Sequence, residues 1–285
     1  MKIGISVRPY SGAWMRCYDE KFKMLEKCGF SSVDYNICNT DDVLYTYSDS
    51  ELERQMTSEL SRATSANISF SQVHGPWRYP PCDLTPEDQA ERMEKMKRSL
   101  LAASFLKCKY WVVHPIMPFG TDDLLTGNEE KTWEMNLSFM RELLAYAKQL
   151  GITVCLENMP MLSFSLAKPG DILRFVREID DESFRICLDT GHVAVFEDLT
   201  PAEEARKLGK YIKVLHVHDN CGDKDAHLYP GLGRIDWVDF VKALNDIGFD
   251  GVFSLETAPS LSLDNDSFEA ECKEIYDLAN KIVNQ

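Results

Sequence analysis

Six histidines and three carboxylates stand where apolar runs of this chain end, and their types and spacing could do chemistry. His74 closes Gln72-Val73-His74-Gly75-Pro76, and His114 closes Trp111-Val112-Val113-His114-Pro115. His192 follows Leu188-Asp189-Thr190-Gly191, and His216 and His218 share Leu215-His216-Val217-His218-Asp219. Asp225-Ala226-His227 comes soon after. Glu157 ends Val154-Cys155-Leu156-Glu157, Asp189 ends Cys187-Leu188-Asp189, and Glu256 ends Phe253-Ser254-Leu255-Glu256. An unpaired carboxylate behind a buried run is costly unless something compensates its charge. A divalent cation compensates several at once, drawing together acids that would otherwise repel one another. The chemistry expected is therefore that of a carboxylate–histidine metal site.

Positioning such a site needs strands that end on one rim. The pattern predicts strands at Lys2–Val7, Ser32–Ile37, Ile68–His74, Tyr110–His114, Thr153–Glu157, Phe184–Asp189, Ile212–His218 and Val252–Glu256. Between and after them it predicts helices at Tyr18–Cys28, Ser50–Ser65, Pro86–Leu106, Lys131–Leu150, Gly170–Ile179, Pro201–Leu208, Trp237–Ile247 and Ser267–Val283. Parallel strands need helix-sized crossovers, so eight such units imply a parallel sheet. Gly29, Gly151 and Gly248 mark helix ends, and Thr85-Pro86 and Thr200-Pro201 mark helix starts. No glycine-rich nucleotide loop follows the first strand, where Arg8-Pro9-Tyr10-Ser11-Gly12 stands. That disfavours an open doubly wound sheet and favours a (β/α)₈ TIM barrel, a single domain over 1–285. Strand alternation then puts Glu157 on the face of Cys155, Asp189 with Cys187, His216 with His218 and Val214, and Glu256 with Ser254. If those faces point inward, the polar groups crown one mouth of the barrel, where barrel active sites sit.

The chain has 285 residues, 44% hydrophobic and 27% charged, ordinary for a protein with a large core. No run approaches the ~20 apolar residues of a membrane span. MKIGISVRPY enters strand-like sequence without a signal-peptide pattern, so a cytoplasmic location is expected. The nine cysteines include no C-x-x-C pair and are assigned no chemistry. A formal net charge of -15 without a Lys/Arg cluster disfavours nucleic acid as a partner and favours a small molecule. A homo-oligomer is compatible with this composition, which does not decide the matter.

The ordered set Glu157-Asn158, Leu188-Asp189-Thr190-Gly191-His192, His216-Val217-His218-Asp219, Pro230-Gly231-Leu232-Gly233-Arg234-Ile235-Asp236-Trp237 and Leu255-Glu256 resembles the xylose-isomerase-like barrel superfamily. That group holds sugar isomerases, ketose 3-epimerases, inosose dehydratases and endonuclease IV. The resemblance spans roughly the whole chain and implies metal ligands at Glu157, Asp189, His216 and Glu256. The strand-seven ligand stays open: the His-x-x-acid pattern matches His216 to Asp219, while His218 has the same parity and lies closer to the mouth. In the epimerases the two metal-binding glutamates also exchange protons with substrate, which implies that role for Glu157 and Glu256, with His192 helping to hold the sugar. Two Glu, one Asp and one His suit Mn²⁺, Mg²⁺, Co²⁺ or Zn²⁺, and the extra histidines tilt towards Zn²⁺. A metal on a ketose carbonyl and its neighbouring hydroxyl stabilises an enediolate, one glutamate removing the proton and the other returning it. The expected function is that of a metal-dependent sugar isomerase or epimerase acting on a ketose or related polyol.

Three alternatives stand beside it. The wider zinc cluster of endonuclease IV would map onto His74, His114, Glu157, Asp189, His192, His216, Asp225, His227 and Glu256, but no basic or aromatic loop follows strand two, where Cys38-Asn39-Thr40-Asp41-Asp42 stands. An inosose dehydratase-like lyase could use the same machinery. A barrel that binds metal or sugar without turnover is the third. His74, His114, His192, His218, Asp225 and His227 are accordingly read as substrate-binding or second-metal residues, His74 and His114 equally well as structural ones. Trp111 is read as core, Trp77 and Trp237 as sugar-pocket walls or packing, and Ile116–Glu130 as a lid over the substrate.

Overall fold

The computed structural model describes residues 1–80, 82–257, 259–260 and 263–285. Eight strands form in chain order: β1 (Lys2–Val7), β2 (Ser32–Asn36), β3 (Ser69–His74), β4 (Tyr110–Val113), β5 (Thr153–Glu157), β6 (Phe184–Asp189), β7 (Ile212–His216) and β8 (Val252–Leu255). All pair in parallel, in the order β7-β6-β5-β4-β3-β2-β1-β8. The last seam, between β7 and β8, is made just past the regular strands. There Val217 donates its N–H to Ser254 O at 2.8 Å, and Glu256 donates to Val217 O at 3.0 Å. The sheet is thus a (β/α)₈ barrel. Its strands stop a residue or two short of several expected ends, leaving His114, His218 and Glu256 on the rim rather than in the ladder.

Helices fill every crossover, and the local chemistry that starts and stops them is the chemistry the sequence advertises. Thr85 Oγ1 accepts from Asp88 N at 3.1 Å and Thr200 Oγ1 from Glu203 N at 3.3 Å, each capping a helix with proline in its first turn. Gly29 (φ 112°) ends the helix Lys21–Cys28 in the left-handed region that a side chain resists. One boundary differs: the expected Tyr18–Cys28 helix is two, Gly12–Arg16 and Lys21–Cys28, with a turn between them. Two short helices at the mouth, Asp123–Thr126 and Thr190–Ala194, have no counterpart in the sequence reading, being too short to show a period.

Residues alternate across the barrel wall. Val33, Tyr35, Trp111, Leu156 and Leu188 face the helices and belong to the main core. Trp111 is fully buried as expected, and its indole N–H donates to Ser99 Oγ at 3.0 Å. On the opposite parity, Val112, Cys155, Cys187 and Val214 form a separate apolar cluster, the floor beneath β4–β7. Beneath β1–β3 the equivalent floor is polar: Ser6 pairs in register with Asp34, and Asp34 with Gln72, all buried. The nine cysteines are unpaired. Among the described residues no helix is long and apolar enough to cross a membrane.

Candidate metal centre

Glu157, Asp189, His216 and Glu256 end β5, β6, β7 and β8 or stand one residue beyond, and one ligand atom from each lies within 4.8 Å of the others. The first three are fully buried, and Glu256 is nearly so. No lysine or arginine pairs with any of these carboxylates among the described residues; their cationic neighbours are histidines. His216 Nδ1 lies 2.9 Å from Glu157 Oε1 and 3.3 Å from Glu256 Oε2. His114 Nε2 is 3.0 Å, and His74 Nε2 3.5 Å, from the other Glu157 oxygen. Glu157 therefore sits between two imidazole groups, one on each edge of its carboxylate.

A second cluster adjoins the first through Asp189. His192, His218, Asp225 and His227 also bring ligand atoms within 4.8 Å of one another. Asp225 Oδ2 is 3.3 Å from His192 Nε2 and 3.1 Å from His227 Nε2, and His218 Nε2 is 3.0 Å from Asp189 Oδ2. His218 stacks on His227, with ring centroids 4.1 Å apart. On strand seven the two histidines face different acids: His216 faces Glu157 and Glu256, and His218 faces Asp189 and the loop. Asp219, the acid of the His-x-x-acid pattern, does something else. It accepts from the N–H groups of Asn220, Gly231 and Ile235 and from the Trp237 indole, at 2.9 to 3.2 Å, folding the Pro-Gly-Leu-Gly loop around its carboxylate. Trp237 is accordingly buried packing, edge-on to Phe240 and Phe253, and lines no sugar pocket.

The histidines are aimed by their outer nitrogens. Nδ1–H of His74, His192 and His227 donates to the backbone carbonyl of Gly75 (2.8 Å), Asn158 (2.7 Å) and Glu256 (3.0 Å), leaving Nε2 of each to face the acids. Asn158 also clamps Asp189 through both amide atoms, donating to its carbonyl at 3.1 Å and accepting its N–H at 2.9 Å.

Charges follow from this packing. Burial works against protonated His192, but Asp189 and Asp225 raise its pKa to about 10. Burial likewise opposes His227, which Asp225 and Glu256 raise to about 9. For His114 burial wins over Glu157, and the imidazole falls to about 4. Burial pushes the Glu157 carboxyl up, and the charge of His216 together with the hydrogen bond from His114 holds it well below the usual range.

Beside these groups opens a cavity of about 300 Å³, lined by Arg8, Asn36, Cys38, Trp77, Met159, Pro160 and Met161 together with His74, His114, His192 and His227. A larger cleft of about 620 Å³ lies between the helices Glu129–Gln149 and Pro169–Ile179, away from every ligand cluster. The segment Ile116–Glu130, expected as a lid, contributes no wall to the cavity beside the ligand clusters. It is pinned to the loop after β5: Asp123, buried, accepts from Ser165 N at 2.8 Å and Ser165 Oγ at 2.5 Å, and Leu124 N donates to Ser163 O. The sequence reading also missed Asp34, Asn158 and Arg8. Asp34 had one visible signal, an acid in mid-strand sharing the parity of Ser32 and Asn36.

Known proteins share this fold. A family model described as a xylose isomerase-like TIM barrel matches residues 22–275. An uncharacterized protein of Methanocaldococcus jannaschii is 34% identical over 194 residues, 65% of this chain, which spans only 63% of that relative's length. D-psicose 3-epimerase of Ruminiclostridium cellulolyticum is 26% identical over 90% of this chain and 83% of its own, and a probable endonuclease 4 of Acholeplasma laidlawii 22% over 76% of each. The crystal structure of a D-tagatose 3-epimerase-like protein superposes with a TM-score of 0.73 at 25% identity, covering 100% of this chain and 98% of its own.

Proposed function

This chain belongs to the xylose isomerase-like TIM barrel family, and on that premise we propose that it is a divalent-metal-dependent isomerase or epimerase of a ketose or related polyol. One observation carries the reading: three carboxylates and His216 converge, buried or nearly so and with no lysine or arginine partner among the described residues, at the C-terminal rim of a barrel. Such a donor set is unstable as a set of bare charges and suits Mn²⁺, Mg²⁺, Co²⁺ or Zn²⁺. Glu157, Asp189, His216 and Glu256 would hold the ion, which when bound would stabilise negative charge developing on a substrate's carbonyl and hydroxyl oxygens. Glu157 and Glu256 are the groups placed to remove a proton beside that carbonyl and to return one. His192, protonated well above neutrality when no metal is bound, supplies a donor at the same rim. Trp77, Met159, Pro160 and Met161 give apolar walls to a cavity of about 300 Å³, a size that suits a monosaccharide.

A second reading is favoured by a specific observation, the His192–His218–Asp225–His227 cluster together with His74 and His114 on the far edge of Glu157. These groups could hold further ions, as a multinuclear phosphodiesterase acting on abasic DNA requires. The net charge of -15 opposes that substrate.

Elemental analysis of the native protein, with Glu157→Gln and His227→Ala beside it, separates the two. One ion per chain, lost in Glu157→Gln and kept in His227→Ala, supports the isomerase reading, which a ketose panel in D₂O then tests by solvent deuterium entering the sugar. Two or three zinc ions, one lost in His227→Ala, would turn the assay to abasic-DNA cleavage. No metal after reconstitution overturns both.

A further inference from the structure

His216 differs from its neighbours in what holds its outer nitrogen. His74, His192 and His227 each lean on a neutral backbone carbonyl. The Nε2 of His216 instead lies 3.1 Å from Oδ2 of Asp34, a residue 182 positions earlier on β2, across the barrel. Asp34 is fully buried, and its other oxygen makes no hydrogen bond among the described residues. Among the described residues no lysine or arginine pairs with it, and His216 is its one side-chain partner. A buried carboxylate is expensive, and nothing in the packing of β2 calls for one: Ser6 and Gln72 flank it in register without bonding to it.

Resting on the metal reading above, we infer that Asp34 is a positioning residue for the metal centre, acting through His216. Its carboxylate accepts the Nε2–H and so fixes the ring's tautomer, leaving the Nδ1 lone pair as the atom directed at Glu157 and Glu256. An anionic acceptor also makes that lone pair more basic than a carbonyl would, because partial proton transfer towards Asp34 puts electron density back on the ring. The distance suits this role, and the rigid strands at both ends hold it: β2 and β7 are ladder strands, whereas Asp225 and His227 come from a loop. Asp34 touches neither the cavity nor any atom that substrate could reach.

The test is Asp34→Asn, which keeps shape and an acceptor oxygen but removes the charge. Zinc affinity is measured by chelator competition on the metal-free wild type and variant, with Co²⁺ absorption as a second readout of ligand geometry and thermal unfolding of both metal-free forms as the control. The expected result is an affinity about 10–100-fold weaker and an altered Co²⁺ band, with the metal-free variant still unfolding in one cooperative transition, at a Tm lowered only modestly because Glu157 and Glu256 remain beside His216. An Asp34→Asn protein with wild-type affinity and spectrum overturns the inference while leaving the metal reading intact. A metal-free variant that no longer folds cooperatively shows a structural role and overturns it too. A wild type that takes up no metal removes both.

Discussion

Glu157 and His114 meet at 3.0 Å between Oε2 and Nε2, on the edge of the carboxylate turned away from His216. Since burial leaves the His114 imidazole neutral well below pH 7, it comes to that contact as a hydrogen-bond donor or as a ligand, not as a countercharge. In the isomerase reading it orients the glutamate. His114→Ala should therefore keep the ion at the carboxylate site and lower kcat about 10–100-fold, as metal analysis and steady-state kinetics on one preparation would show. Loss of an ion without loss of the first would instead place His114 among ligands of a second metal.

The protonated histidines of the second cluster predict a pH signature for the metal-free protein. His192 and His227 rise from 6.5 to about 10 and about 9 in the folded chain. A raised folded pKa contributes stability that is fully present below the unfolded value, near 6.5, and is lost as pH climbs through the folded one. The Tm of metal-free protein should accordingly fall between pH 6.5 and 10. His227→Ala should flatten that fall, and so should bound metal, which needs neutral imidazoles. A calorimetric series across this window checks it; a flat wild-type profile would contradict the assigned charges.

Gly191 approaches His218 so closely that a Cβ would lie 1.9 Å from the ring. Because that ring is clamped between Asp189 and His227, it has nowhere to move without breaking the stack. Gly191→Ala should cost about 1–3 kcal/mol, read as a lowered denaturation midpoint with an unchanged m-value. It should also weaken the second cluster more than the first, visible as a changed His218–His227 environment in imidazole NMR shifts.

How much of this was legible beforehand depended on how local the signal was. Glu157, Asp189 and Glu256 announced themselves because each follows its own apolar strand, so a short window carries both the element and its exception. Helix starts at Thr85 and Thr200 were legible for the same reason. Asp34 was not, since its meaning lies in His216, which only barrel closure brings opposite. The two roles of strand seven were equally hidden. His216 and His218 share a parity, and the two-residue difference in height along the chain sends one to Glu157 and the other to Asp189. The lid expectation on Ile116–Glu130 failed because a single buried acid, Asp123, ties the segment to Ser165, and an Asp in a loop looks solvated until its partner is known.

The two glutamates proposed to move protons are not equivalent, and this gives the sharpest kinetic prediction. Glu157 is fully buried, engaged by histidines on both oxygens, and held well below the usual carboxylate range, which makes it a good ligand and a weak base. Glu256 also borders the cavity, and its buried Oε2 makes no hydrogen bond among the described residues, with His216 Nδ1 3.3 Å away as its nearest cationic neighbour. The freer oxygen belongs to the group that can reach a substrate proton. Glu256→Gln should then retain measurable metal binding while losing about 10²–10⁴-fold in kcat, with solvent exchange of the substrate proton falling in parallel. Glu157→Gln should instead lose the metal first and activity with it, so that added metal restores part of the rate. If excess metal rescues Glu256→Gln and leaves Glu157→Gln silent, the assignment of base and ligand is reversed.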